Sequence, residues 1–286
     1  MRFGLLTLAL AAAAAFAWSS DGCVESPNLS RALVPEADAT ITVTLEDEWL
    51  VDWAAQVLGM DSWNSGTTVN IIFSSRNDMQ LNSLDPASGT SAGTADLDPG
   101  NTNCFGVVYN DNATTPIYHT NDWALSTLYY TEDLFVTWET TTNPAGSSGR
   151  GMDFDGTDYW QSYSDDGVYR FEPGVGQEFI AISGLPSQIS GLAVFPHNGN
   201  TGMVVTFYQT NKLYFYEWDG SSMELLGEAD TPYSVYRNYG LAYCEYNEML
   251  YWAYQLSSGD RYIAELSFEI DEALQTSTWG SIKAGL

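Results

Sequence analysis

The sequence predicts an all-β chain folded as a β-propeller of about five four-stranded blades, six if both termini add to the ring. Three observations lead there. A glycine-led strand motif recurs at intervals of one blade length, as a propeller repeat requires. Asp-Gly and Pro-Gly turns divide each interval into strand-length pieces. The composition is rich in Tyr, Trp, Thr, Gly and Asp, residues that suit strands and tight turns.

The recurrent motif begins at Gly59, Gly106, Gly151, Gly191 and Gly240, with spacings of 47, 45, 40 and 49 residues. The third interval shows the internal grammar best. Strands are expected over 152–154, 159–163, 168–171 and 178–182, separated by Asp155-Gly156, Asp165-Asp166-Gly167 and Pro173-Gly174. The fourth interval gives strands at 192–195, 203–208, 213–218 and 223–226. The fifth gives 241–244, 249–254 and 262–268. The first is less regular, with 69–73 and 79–84 as its second and third strands. The second departs most, through a loop around 110–116.

These strands, ending in Asp-Gly and in one case followed by Asp85-Pro86-Ala87-Ser88-Gly89, resemble the blades of secreted bacterial β-propeller repeat proteins over residues 54–284. The tail Trp279-Gly280-Ser281-Ile282-Lys283 also resembles one found in such proteins. The resemblance implies the fold and no particular activity. A β-sandwich is the structural alternative, because irregular short strands fit it as well.

A single sheet cannot bury both faces, so the blades must stack and the ring must close, which leaves only short edges. Closure needs a strand from one end of the chain to complete a blade from the other. Ile41–Leu45 is the first candidate and Trp279–Ala284 competes with it.

Ahead of the propeller, Arg2, an uncharged run from Gly4 to Trp18 and the triplet Ala15-Phe16-Ala17 form a secretory leader pattern. The expected organisation is a signal peptide over 1–17, a linker over 18–40 and the propeller over 41–286, exported to the periplasm or the exterior. Lipid attachment at Cys23 is disfavoured by Ser20, which stands where an apolar residue is wanted. No later segment is apolar enough to span a membrane. Lys and Arg number 9 against 37 Asp and Glu, a net charge of −28, which opposes binding to nucleic acid and to anionic membranes. The three cysteines, Cys23, Cys104 and Cys244, lack metal-binding spacing. A bridge between Cys104 and Cys244, as neighbours around the ring, is one arrangement open to them.

No nucleophile elbow, phosphate loop or HExxH helix is present. His119 and His197 read as structural. Asp61 and Asp153 occupy the same position of the first strand in two intervals, where the others carry Val108, Ala193 and Ala242. They are the candidate acids of a glycoside hydrolase, which needs two carboxylates. Asp153, Asp155 and Asp158 are candidate calcium ligands. Trp123 and Trp138 are candidate ligand-binding aromatics, ahead of Trp160 and Trp218, which read as core. Asn28-Leu29-Ser30 and Asn112-Ala113-Thr114 are glycosylation sequons. The leading expectation is a non-catalytic propeller that binds a protein or glycan. The alternatives are the hydrolase and a self-assembling surface protein with an open terminal strand.

Overall fold

The computed structural model describes residues 39–64, 68–112 and 117–272, which form five four-stranded antiparallel sheets. The chain enters through β1 (Ala39–Leu50). Blade 1 then comprises β2 (Met60–Asn64), β3 (Val69–Ser75), β4 (Gln80–Asp85) and β5 (Thr90–Asp96). Blade 2 comprises β6 (Cys104–Asn110), β7 (Ile117–Asp122), β8 (Thr127–Thr131) and β9 (Glu139–Thr142). Blade 3 comprises β10 (Met152–Phe154), β11 (Tyr159–Tyr163), β12 (Gly167–Glu172) and β13 (Gly176–Ala181). Blade 4 comprises β14 (Ile189–His197), β15 (Asn200–Phe207), β16 (Lys212–Trp218) and β17 (Met223–Asp230). Blade 5 has three strands of its own, β18 (Arg237–Cys244), β19 (Met249–Gln255) and β20 (Arg261–Glu272).

β1 supplies the fourth strand of blade 5. It pairs antiparallel with β20 from Ala39↔Glu272 to Leu50↔Tyr262, with one irregularity between Leu45 and Asp47. Ile41–Leu45, the first candidate, therefore lies in the strand that closes the ring. The rival Trp279–Ala284, the leader and most of the expected linker lie outside the described residues. The first strands touch in a closed cycle: β2 with β6, β6 with β10, β10 with β14, β14 with β18 and β18 with β2. The molecule is a five-bladed β-propeller.

The repeated glycines have a common physical cause. A Cβ on Gly59 would stand 2.3 Å from Phe105 O, and one on Gly106 would stand 2.3 Å from Arg150 O. One on Gly151 would meet Leu192 N at 2.6 Å, one on Gly191 Tyr239 O at 2.6 Å, and one on Gly240 Leu58 O at 2.3 Å. Each glycine thus lets its strand lie against the backbone of the next blade, and the cycle returns to its start. These positions need absence of a side chain, since none of the five has a positive φ. Turn glycines answer a different need: Gly220, after Asp219, has φ +92° and Gly174 has φ +74°.

The core divides by interface. One apolar cluster fills each junction between adjacent blades. Those on either side of blade 5 are large and include Phe73, Tyr251, Trp252 and Phe215, all fully buried. Those flanking blade 2 are small, and buried polar groups reinforce that blade. Asn121 accepts the Gly106 N–H at 2.6 Å and donates to Gly149 O at 2.7 Å, tying blade 2 to the start of blade 3.

Cys104 and Cys244 are both free and buried. Cys104 opens β6 and Cys244 ends β18, so they lie at opposite ends of different first strands. The proposed bridge between them is not formed, because strand position along the channel separates what repeat position suggested.

Candidate functional site

The glycine ring divides the central channel into two mouths of unlike chemistry. Beyond it, where the first strands end, all five blades line a cavity of about 330 Å³. Asp61, Asp153, Asp155, Asp111 and Glu245 contribute to its wall, with Trp63 and Tyr243 beside them.

Asp61 and Asp153, the two acids singled out by their repeat position, are buried here. Asp61 Oδ2 accepts the Tyr109 N–H of blade 2 at 2.6 Å, and its Oδ1 accepts the Ser62 N–H at 2.6 Å. Asp153 repeats the arrangement one pair of blades later. Its Oδ2 accepts the Val194 N–H of blade 4 at 2.6 Å, and its Oδ1 accepts the Phe154 N–H at 2.7 Å. Each aspartate stands two residues beyond its own blade glycine. Each catches an amide three residues beyond the next blade's glycine. The cause is an edge problem: a first strand has no strand partner on its channel side, so buried amides there require other acceptors. Two aspartates satisfy four amides and clasp blade 1 to blade 2 and blade 3 to blade 4.

Burial raises the Asp61 carboxyl from 3.8 to about 7 against the lowering pull of its two amide bonds. Asp153 is also raised, first by burial and then by the Asp61 charge. The two aspartates therefore feel one another within the mouth, and their protons are shared business of the pair.

Asp155 is occupied by its turn. Its Oδ1 accepts the Thr157 and Asp158 amides at 2.9 and 2.8 Å, and its Oδ2 accepts Trp160 Nε1–H at 2.7 Å. Asp158 pairs with Arg170 at 3.4 Å. Among the described residues no group of three or more His, Cys, Asp or Glu side chains is placed to hold a metal ion, so Asp153, Asp155 and Asp158 do not converge. His119 is buried between Tyr130, at 5.4 Å between ring centres, and Tyr159, at 4.8 Å. Burial lowers it to about 3, which keeps it neutral. His197 lies beside Glu217 at 3.3 Å. Asn112 is exposed beside the acidic mouth and donates to Gly156 O. The rest of its sequon, and the sequon at Asn28, lie outside the described residues.

On the other side of the ring, where the first strands begin, a cavity of about 400 Å³ is again lined from all five blades. Here the charge reverses. Arg76, Arg150 and Arg237 line it together with Trp123, Tyr208 and Phe105, and among the described residues that line it none is acidic. The Arg150 guanidinium lies over Phe105 at 5.5 Å and over Trp123 and Tyr208 at 5.9 Å each. Arg237 lies over Tyr208 at 5.0 Å and Tyr236 at 4.7 Å. Burial, joined by the Arg76 charge, pushes Arg150 below the usual arginine value. Among the described residues none of the three has an acidic partner, whereas Arg170 and Lys212 are both paired with carboxylates.

Trp123 thus belongs to this mouth. Trp138 does not. It sits on blade 2, packs on Phe135 at 6.0 Å and donates to Asp96 O at 3.3 Å. Trp160 and Trp218 are buried between blades 3 and 4. The arginines escaped the sequence reading because no local motif joins them. The available signal was positional: Arg150 directly precedes a blade glycine, Arg237 stands three residues before another, and Arg76 follows a second strand.

No protein-family model matches the chain, and no curated protein matches it. Solved structures do. Glutaminyl cyclase of Myxococcus xanthus aligns at 16% identity and TM-score 0.56, over 80% of this chain and 97% of its own. A putative gluconolactonase aligns at 12% identity and TM-score 0.49, over 83% and 96%. Virginiamycin B lyase of Staphylococcus aureus aligns at 12% identity and TM-score 0.46, over 80% and 74%. At these identities the likeness speaks to the propeller alone. Among the described residues no helix is long and apolar enough to cross a membrane.

Proposed function

We propose that this chain is an exported, non-catalytic binding propeller that takes a protein or glycan partner at its arginine mouth. One observation carries the reading. A chain with only 9 cationic residues gathers three of them, without acidic partners among the described residues, around one aromatic-walled cavity. Desolvated, unpaired charge is costly, and a partner of opposite charge removes the cost. Export rests on the leader pattern. The test is to screen the mature protein against extracellular proteins and an oligosaccharide array, beside Arg150→Gln. Capture that falls tenfold or more in the variant supports the reading, and capture that ignores the substitution removes it.

A glycoside hydrolase using Asp61 and Asp153 is the second reading. A carboxyl that keeps its proton to about pH 7 in a channel mouth has the character of a general acid. The amide bonds on all four oxygens weigh against it, because a clasping carboxylate is held in place for another purpose. Polysaccharide hydrolysis abolished by Asp61→Asn or Asp153→Asn would reverse this preference. Self-assembly through an open terminal strand has less support, since β1 is already paired along its length with β20.

A further inference from the structure

We infer that the arginine mouth is a site for a small organic oxyanion, a carboxylate, sulfate or phosphate monoester on a flat apolar body, held by Arg76, Arg150 and Arg237. The inference rests on the preceding reading of that mouth and names the chemistry it recognises.

The anionic half follows from the guanidiniums. Arginine presents donors in a planar fork that matches the oxygens of these groups, and it stays charged even where burial disfavours charge. Arg150 is the most telling of the three. It lies against three aromatic rings, near another arginine and with no carboxylate among the described residues of the cavity wall. The aromatic contacts hold its side chain in place before a ligand arrives, so little freedom remains to be lost on binding. Arg237 shares the Tyr208 ring with it, which brings two forks to one aromatic wall.

The flat apolar half follows from the walls and the size. Trp123, Phe105, Tyr208 and Tyr239 supply ring surface around the arginines. A cavity of about 400 Å³ lies in the range that encloses small organic ligands. A bare inorganic ion leaves most of that surface uncovered.

Calorimetric titration of the mature protein with phenyl phosphate, benzoate, inorganic phosphate and neutral phenyl glucoside tests this. Phenyl phosphate and benzoate are expected to bind at least tenfold more tightly than inorganic phosphate, and phenyl glucoside not to bind. Arg150→Gln and Arg237→Gln should each weaken phenyl phosphate tenfold or more, and Arg76→Gln, at a side chain without the ring contacts of the other two among the described residues, should do so by a smaller factor. Lys212→Gln, at an ion pair on blade 4, should leave affinity unchanged, and circular dichroism confirms that each variant is folded. Equal affinity for phenyl glucoside, or phenyl phosphate affinity indifferent to the arginine substitutions, overturns the inference. If phenyl phosphate and benzoate fail while an oligosaccharide or protein binds in an Arg150-dependent way, the inference falls and the binding reading stands. If nothing binds through the arginines, both fall.

Discussion

Asp61 and Arg150 stand near opposite ends of one channel, Asp61 two residues beyond its blade glycine and Arg150 one residue before the next but one. Both are ionisable groups in largely enclosed surroundings, yet their bonding differs completely. Both carboxylate oxygens of Asp61 receive backbone N–H bonds, one of them from the neighbouring blade. The Arg150 guanidinium has ring faces and another arginine for company. A buried polar group whose atoms are all engaged is part of the scaffold. A buried charge left without a counter-ion is an opening for something outside the chain.

Substitutions that break this contrast rank by how much backbone they disturb. The largest effect is expected from the ring that separates the mouths. Gly106→Ala places a methyl group 2.3 Å from Arg150 O, where only backbone movement relieves the clash. A loss of about 3 kcal/mol or more in urea denaturation is expected, at the upper end for overpacking. Next comes the clasp. Asp61→Ala leaves two amides without their acceptor and should cost ~2–6 kcal/mol at about 1–3 kcal/mol per orphaned buried group. Arg150→Ala should stay within about 1 kcal/mol, since it removes an unpaired cation.

A further expectation concerns pH. Asp61 holds its proton to about pH 7 when folded, against 3.8 ordinarily. Between those values the folded chain binds protons that the unfolded chain has released, so stability falls as pH rises through that window. Melting temperature should therefore increase from pH 8 to pH 5. Asp61→Asn, which cannot ionise, should reduce that slope and leave the share that Asp153 carries, and an unchanged slope would remove Asp61 as a source. The smallest effect belongs to the surface: Lys212→Gln should change stability by less than ~1 kcal/mol despite its contacts with Glu228 and Asp230.

The parts of this architecture that the sequence disclosed are those with a local signature. The five glycines are visible because each must lack a side chain for the same geometric reason. Strands β10 and β11 are bounded by Asp-Gly turns and were readable to the residue. The fourth strands of blades 1 and 2 were not. β5 and β9 are polar and largely exposed, so they lack the apolar alternation that marks a buried strand. Asp61 and Asp153 were visible as matched positions, but the inter-blade amides they catch are 48 and 41 residues away, beyond any local pattern. The arginine mouth was hidden most deeply. Its members come from loops and strand starts of three blades, and only ring closure assembles them.

The most direct test of this division of labour crosses the two mouths with two readouts. Asp153→Ala and Arg150→Gln would each be measured for unfolding free energy and for phenyl phosphate affinity. The account predicts that Asp153→Ala loses ~2–6 kcal/mol of stability, from two orphaned buried amides, while its affinity stays within about twofold, a change under ~0.5 kcal/mol. Arg150→Gln should keep its stability and lose affinity tenfold or more. An Asp153→Ala protein of undiminished stability, or an Arg150→Gln protein of undiminished affinity, would contradict it.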